Sequence, residues 1–157
     1  MKKFRFLKNE CMTAETQKNK VFLLRDAEYT TNNFICLENK YCADTKCAEY
    51  VDLTGWNIIK KWEQRKCKYT IADLLQHLFY AEVTQDTFFI EETSTLVKLG
   101  YPGRKIGQRE IYLKPADFKR IMAISDKIKL RLTGYHPGNP LQIVLGNDII
   151  GVIHPIQ

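Results

Sequence analysis

The sequence predicts an α+β fold, a mostly antiparallel sheet with two or three helices. Three observations predict it. Ile71, Leu74, Leu75, Leu78 and Phe79 recur at helical spacing and lay one apolar stripe along a helix. Ile128, Leu130 and Leu132 alternate with Lys127, Lys129 and Arg131, the pattern of a strand with one buried and one basic face. Two apolar runs flank Gly146-Asn147-Asp148, the composition of a hairpin turn.

The remaining elements follow in chain order. Phe4 and Phe6 alternate with Lys3, Arg5 and Lys8, which reads as a basic edge strand. Residues 9–19 are polar and aperiodic, hence a loop. Val21 to Arg25 and Phe34 to Leu37 are short apolar strands separated by the turn cluster Thr30 to Asn33. Ala48 to Leu53 is a further strand. Gly55 precedes a stretch in which Trp56, Ile59 and Ile58, Trp62 fall at helical spacings, with Lys60, Lys61, Arg65 and Lys66 on the other side. Thr70 to Tyr80 is the clearest helix; Thr70 caps it and Asp73 suits the positive end of its dipole. Thr87 to Glu91, Thr95 to Leu99 and Glu110 to Leu113 read as strands, and Gly100 to Gln108 as a loop. Pro115 fits the first position of a helix whose buried stripe is Phe118, Ile121 and Met122.

With 157 residues the chain holds one domain, or one domain with an arm. Residues 1–47 are assigned to an N-terminal β arm carrying a cysteine cluster, and residues 48–157 to the α+β domain. Hydrophobic residues make up 45% and charged residues 27%, close to globular averages, so the chain can bury a core. The net charge of +6 favours a polyanionic partner. No apolar run of signal-peptide length opens the chain, and none approaches the roughly 18 residues of a membrane span. The expectation is a cytoplasmic protein with no membrane partner, whose cysteines stay out of disulfides.

An internal echo runs through the second half. Thr70-Ile71-Ala72-Asp73-Leu74 and Lys114-Pro115-Ala116-Asp117-Phe118 open two helices, each followed by strands and a Gly/Tyr/Pro turn. The last stretch also carries Asn139-Pro140-Leu141-Gln142-Ile143 and Ile153-His154-Pro155-Ile156. Helix, basic strand, Pro-containing strand and apolar-x-Pro-apolar terminus together resemble the closing half of a domain of the bacterial DNA sliding clamp. The resemblance covers a quarter to a third of the chain. It implies a clamp-like (processivity-fold) half-unit at the C-terminus, and two such units if the echo is structural. It also implies that His154, Pro155 and Ile156 border a groove accepting short partner peptides. The chain departs from the family in having room for one domain where a ring needs six. His154 also replaces the usual Met, and the outer face of the first helix (Asp73, Gln76, His77, Tyr80) is not basic.

Chemistry-bearing residues are sparse. Cys36, Cys42, Cys47 and Cys67 are a conceivable zinc set, with His77 as a substitute fourth ligand, but the first spacing is wider than a zinc knuckle uses. Ordinary free cysteines fit better, and no cofactor is expected. No signature ties His77, His136 or His154 to a cysteine nucleophile. Glu91-Glu92 adjoin a turn, and GYPGRKIGQR lacks the spacing of a phosphate-cradling loop. The chain is therefore expected not to be an enzyme.

Nucleic-acid contact is the leading expectation. Three basic groups carry it: Lys60, Lys61, Arg65 and Lys66; Arg104, Lys105 and Arg109; and Lys119, Arg120, Lys129 and Arg131. Cations of this kind neutralise phosphates without regard to sequence, and Trp56, Trp62 and Tyr69 could stack on bases. The expected function is a non-enzymatic accessory protein of DNA metabolism that binds DNA or a DNA-processing enzyme. The alternative is an interaction protein of a phage or mobile element that inhibits a nucleic-acid enzyme, in the manner of anti-CRISPR proteins. Either could act as a homo-oligomer.

Overall fold

Short apolar runs broken by side-chain turns build the first strands, β1 (Leu24–Arg25), β2 (Tyr29–Thr31) and β3 (Ile35–Glu38). The computed structural model describes residues 2–7, 23–43, 48–60, 65–66, 69–76, 82–83, 89–93, 95–100, 110–133 and 139–156. Asp26 makes the first turn: its Oδ1 accepts the backbone N–H of Glu28 at 2.8 Å and of Tyr29 at 2.7 Å. Asn32 makes the second by accepting from Phe34 and Ile35, while Asn33 takes a φ of 74°, a conformation Asn tolerates. β4 (Glu49–Tyr50) pairs in parallel with β1.

β5 (Ile59–Lys60) and β6 (Arg65–Lys66) form an antiparallel pair where the apolar spacing predicts a helix. The β-branched and aromatic residues there satisfy an extended chain as well as a helical one. Trp56 decides between them, because its Nε1–H donates to Asn33 Oδ1 at 2.8 Å and Ile58 is fully buried.

α1 (Ile71–Gln76) begins as predicted. The N–H of Asp73 donates to Thr70 Oγ1, and the N–H of Thr70 to Asp73 Oδ2, both at 3.1 Å, a reciprocal cap. Leu78 and Phe79 of its predicted stripe lie outside the described residues, as do the loop at 9–19 and most of Gly100 to Gln108.

β7 (Glu82–Val83), β8 (Phe89–Glu92), β9 (Val97–Gly100) and β10 (Ile111–Leu113) lead to α2 (Pro115–Met122). β11 (Ile128–Leu132), β12 (Leu141–Leu145) and β13 (Asp148–Ile153) follow it. The last two strands meet at Leu145 and Asp148 through Gly146-Asn147. Gly146 has a φ of 64° at the first central position, where a type II′ turn requires it. One extra residue, Ile150, sits opposite the step from Ile143 to Val144 and makes a bulge in β13.

The protein is thus mixed α+β, mostly sheet, with two helices among the described residues. One sheet has eight strands in the order β4-β1-β2-β3-β13-β12-β11-β7, and a second has three, β10-β9-β8. The larger sheet is antiparallel except at β1–β4. One of its faces presents Ile35, Leu37, Leu130, Leu132, Ile143 and Ile153 to a core shared with Phe118 and Ile121 of α2 and with Val97, Leu99, Ile111 and Leu113 of the small sheet. The other face presents Cys36 and Val152 to Ile71 and Leu74 of α1 and to Ile58. Each such fully buried aliphatic side chain contributes about 1.5–3 kcal/mol.

Two expectations change. Residues 1–47 are not a separate arm in their described part: β3 pairs with β13 near the middle of the large sheet, and Phe4 and Phe6 belong to the main core. The two helix-plus-strands units share an order but not a pairing. β11, β12 and β13 are consecutive neighbours in one sheet, whereas β7 pairs with β11 and β8 and β9 pair in the other sheet.

Candidate nucleic-acid interface

α2 buries Phe118 and Ile121, so Lys119 faces solvent. Arg120 does not. Its Nη1 donates to the backbone oxygen of Arg5 at 2.6 Å, its Nη2 to Asp117 Oδ1 at 2.6 Å, and its guanidinium lies 4.7 Å from the centre of the Phe4 ring. Asp117 is itself buried. Arg120 therefore fastens the N-terminal segment to α2 instead of presenting its charge to a phosphate. The same contact brings the exposed cations Lys3 and Arg5 beside the helix that carries Lys119. The alternation of Phe4 and Phe6 with Lys3 and Arg5 holds: the rings are buried and the cations exposed.

Lys129 and Arg131 lie elsewhere. Ile128, Leu130 and Leu132 point into the core with α2, so the pleat turns Lys129 and Arg131 to the opposite face of the sheet. Arg131 pairs in register with Gln142, whose Nε2 bonds the Leu74 carbonyl, so that face is the one carrying α1. The predicted third group is therefore split across the sheet. The first group falls on the β5–β6 pair, whose register sets Lys60 opposite Arg65 and Ile59 opposite Lys66. Lys61, Arg104, Lys105 and Arg109 lie outside the described residues.

In the terminal tripeptide His154 and Pro155 are interior and Ile156 is half-buried. β13 lies between β3 and β12 and is not an edge. His154 is 3% exposed and Pro155 is buried. The His154 N–H donates to Phe34 O at 2.8 Å, its Nδ1–H donates to Pro155 O at 2.7 Å, and the Ile156 N–H donates to Tyr112 O at 2.8 Å. These three residues staple the large sheet to the small one, and no partner peptide reaches His154 or Pro155 as they stand.

The cysteines diverge too. Cys36 faces the α1 cluster, whereas Cys42 joins the main core on the other side of the sheet. Cys47 and Cys67 lie outside the described residues. Burial pushes the Cys36 thiol well above its ordinary value and the Cys42 thiol up to about 12, so both are protonated near neutral pH. Among the described residues no helix is long and apolar enough to cross a membrane.

The structure also shows a site that the sequence did not suggest. A cleft of about 600 Å³ opens between the β1–β2 turn, the segment after β4, and α1. Leu53, Ile71, Leu75 and Ile149 line it with apolar surface, and Asp26, Glu28, Asp52 and Tyr50 add carboxylates and a phenol ring. The signal lay in charge segregation: Asp26, Glu28, Glu49 and Asp52 gather in a stretch of an otherwise basic chain. No protein-family model, curated protein or solved structure matches the chain.

Proposed function

We propose that the chain is a non-enzymatic accessory protein of DNA metabolism that contacts DNA through the α2 surface. The observation that carries this is the Arg120–Arg5 hydrogen bond, which joins Lys3 and Arg5 to the helix bearing exposed Lys119. Exposed cations held on a rigid element supply sequence-independent phosphate affinity. The β5–β6 pair, with Lys60 across from Arg65, is a second contact region. A clamp-like C-terminal half-unit is part of the proposal, supported by the order α2, β11, β12, β13. The differing pairing of the two units weighs against a doubled clamp domain.

The test is fluorescence anisotropy with labelled single- and double-stranded DNA across a salt series. Binding is expected to weaken steeply with salt, the slope falling by about 0.9 for each phosphate contact removed. Lys119→Glu combined with Arg5→Glu should weaken binding at low salt and reduce the salt slope. No binding by the parent chain at low salt refutes direct DNA contact.

One observation favours the second reading, an interaction protein of a phage or mobile element that inhibits a nucleic-acid enzyme. The carboxylate-bearing cleft opposes DNA but suits the cationic surface of a DNA-processing protein. Affinity capture of such an enzyme, with loss of its activity on adding the chain, tests that reading.

A further inference from the structure

The cleft between the β1–β2 turn and α1 is a built groove. Asp26 ties its walls together, with Oδ1 holding the N–H groups of Glu28 and Tyr29 and Oδ2 accepting the Leu53 N–H at 3.3 Å. Asp26 is thus structural, and its charge stays at the site. The floor is apolar: Leu53 and Ile71 close it from beneath, 1% and 2% exposed, and the half-buried Leu75 and Ile149 supply its open surface. Tyr50 stands 75% exposed at the mouth, on the edge strand β4. Glu28 and Asp52 are exposed beside it. The Thr54 N–H bonded to Asp52 keeps that carboxyl below its usual value, so it is ionised.

The charge of this groove inverts that of the molecule. The chain carries +6, yet among the described residues no Lys, Arg or His lines the groove. Burial first, and then the carboxylates of Glu38, Glu28 and Asp26, push Tyr29 up to about 12. DNA phosphates are therefore repelled here. The apolar floor is unsuited to a hydrated metal ion, while an organic cation keeps its charge at the carboxylates and lays its hydrocarbon on the floor. An exposed tyrosine face adds a cation–π contact. The volume falls in the range of sites that take a few side chains.

We propose that the groove lined by Asp26, Glu28, Tyr50, Asp52, Leu53 and Ile71 docks a protein segment that carries a lysine or arginine next to an aliphatic side chain. The inference rests on the second reading for the origin of that segment, a nucleic-acid-processing protein. The groove itself is tested with synthetic peptides, so failure of the groove and failure of that reading remain separate.

The probe is a fluorescein-labelled peptide Gly-Leu-Arg-Leu-Lys-Gly, with a counterpart in which Glu replaces Arg and Lys. Fluorescence polarisation at low salt should show saturable binding of the basic peptide only. Tyr50→Ala and Asp52→Asn should each weaken it by about threefold to fivefold, with the thermal unfolding curve unmoved. Three results overturn the proposal: no saturation by about 1 mM peptide, equal binding of the acidic peptide, or binding unchanged in the Tyr50→Ala/Asp52→Asn double variant. A chain whose sedimentation shows a dimer that the double variant dissolves also overturns it, because a second copy then fills the groove.

Discussion

Gln142, fully buried in strand β12, donates through Nε2 to the backbone oxygen of Leu74 at 2.8 Å and so pins helix α1 to the face of the large sheet. A polar side chain in the middle of a buried strand is costly unless it is bonded, and here it is bonded to a carbonyl in the helix. Gln142→Leu removes the donor to the Leu74 oxygen. The expected loss is about 1–3 kcal/mol, read as a lower urea midpoint with an unchanged slope.

Gly151 has no space for a side chain. A Cβ there would sit 2.2 Å from the Cys36 backbone oxygen and 3.1 Å from the Leu37 Cα. Both obstacles are backbone, so Gly151→Ala must push β3 and β13 apart at their pairing. A loss of about 3 kcal/mol or more is expected, lowering Tm by about 6–12 °C or preventing folding. A melting temperature equal to that of the parent chain would contradict the packing described.

Neighbouring cations on α2 should behave oppositely. Arg120→Met leaves Asp117, 4% exposed in its side chain, without the guanidinium and frees the Arg5 oxygen. The expected cost is about 2–4 kcal/mol by chemical denaturation. Lys119→Met should stay within about 0.5 kcal/mol in stability while weakening DNA binding. The reverse ranking in stability would show that Arg120 is not a structural fastener.

Stability should fall in alkali. The buried thiols of Cys36 and Cys42 ionise far less readily when folded than at their ordinary value of 9.0. Above that pH the unfolded chain releases protons that the folded chain keeps, so the unfolded state gains. The contribution of Cys42 is complete below pH 9.0 and is lost progressively toward about 12. The slope reaches about 1.4 kcal/mol per pH unit for each thiol. Urea midpoints measured on either side of pH 9 should diverge for the parent chain, diverge less for Cys42→Ala, and diverge least for the Cys36→Ala/Cys42→Ala double variant.

Local patterns were legible wherever one face of an element decides its state. Ile128, Leu130 and Leu132 alternate because only one face of β11 is buried. Thr70, Asp73 and Gly146 act within a few residues of their targets, so their roles could be read directly from the chain. The stretch after Gly55 could not be read this way, because its apolar spacing suits two structures and the deciding bond runs from Trp56 to Asn33. Pairing across the chain was hidden too. Nothing local tells Leu37 to lie opposite Gly151, so the first strands looked like an appendage. The terminal tripeptide was misplaced for the same reason, since its burial depends on Phe34 and Tyr112. The groove was missed because its walls come from separate segments.

The insertion of β3 between β2 and β13 also sets an order of events during synthesis. The β2–β3 hairpin can form once Glu38 has been made, yet one side of β3 has no neighbour until Asp148 to Ile153 have been made. Until then an apolar strand with open backbone groups is available to any other extended chain. Pairing so distant in sequence slows folding. The nascent chain is therefore most exposed to aggregation just before Asp148 to Ile153 emerges to close the sheet.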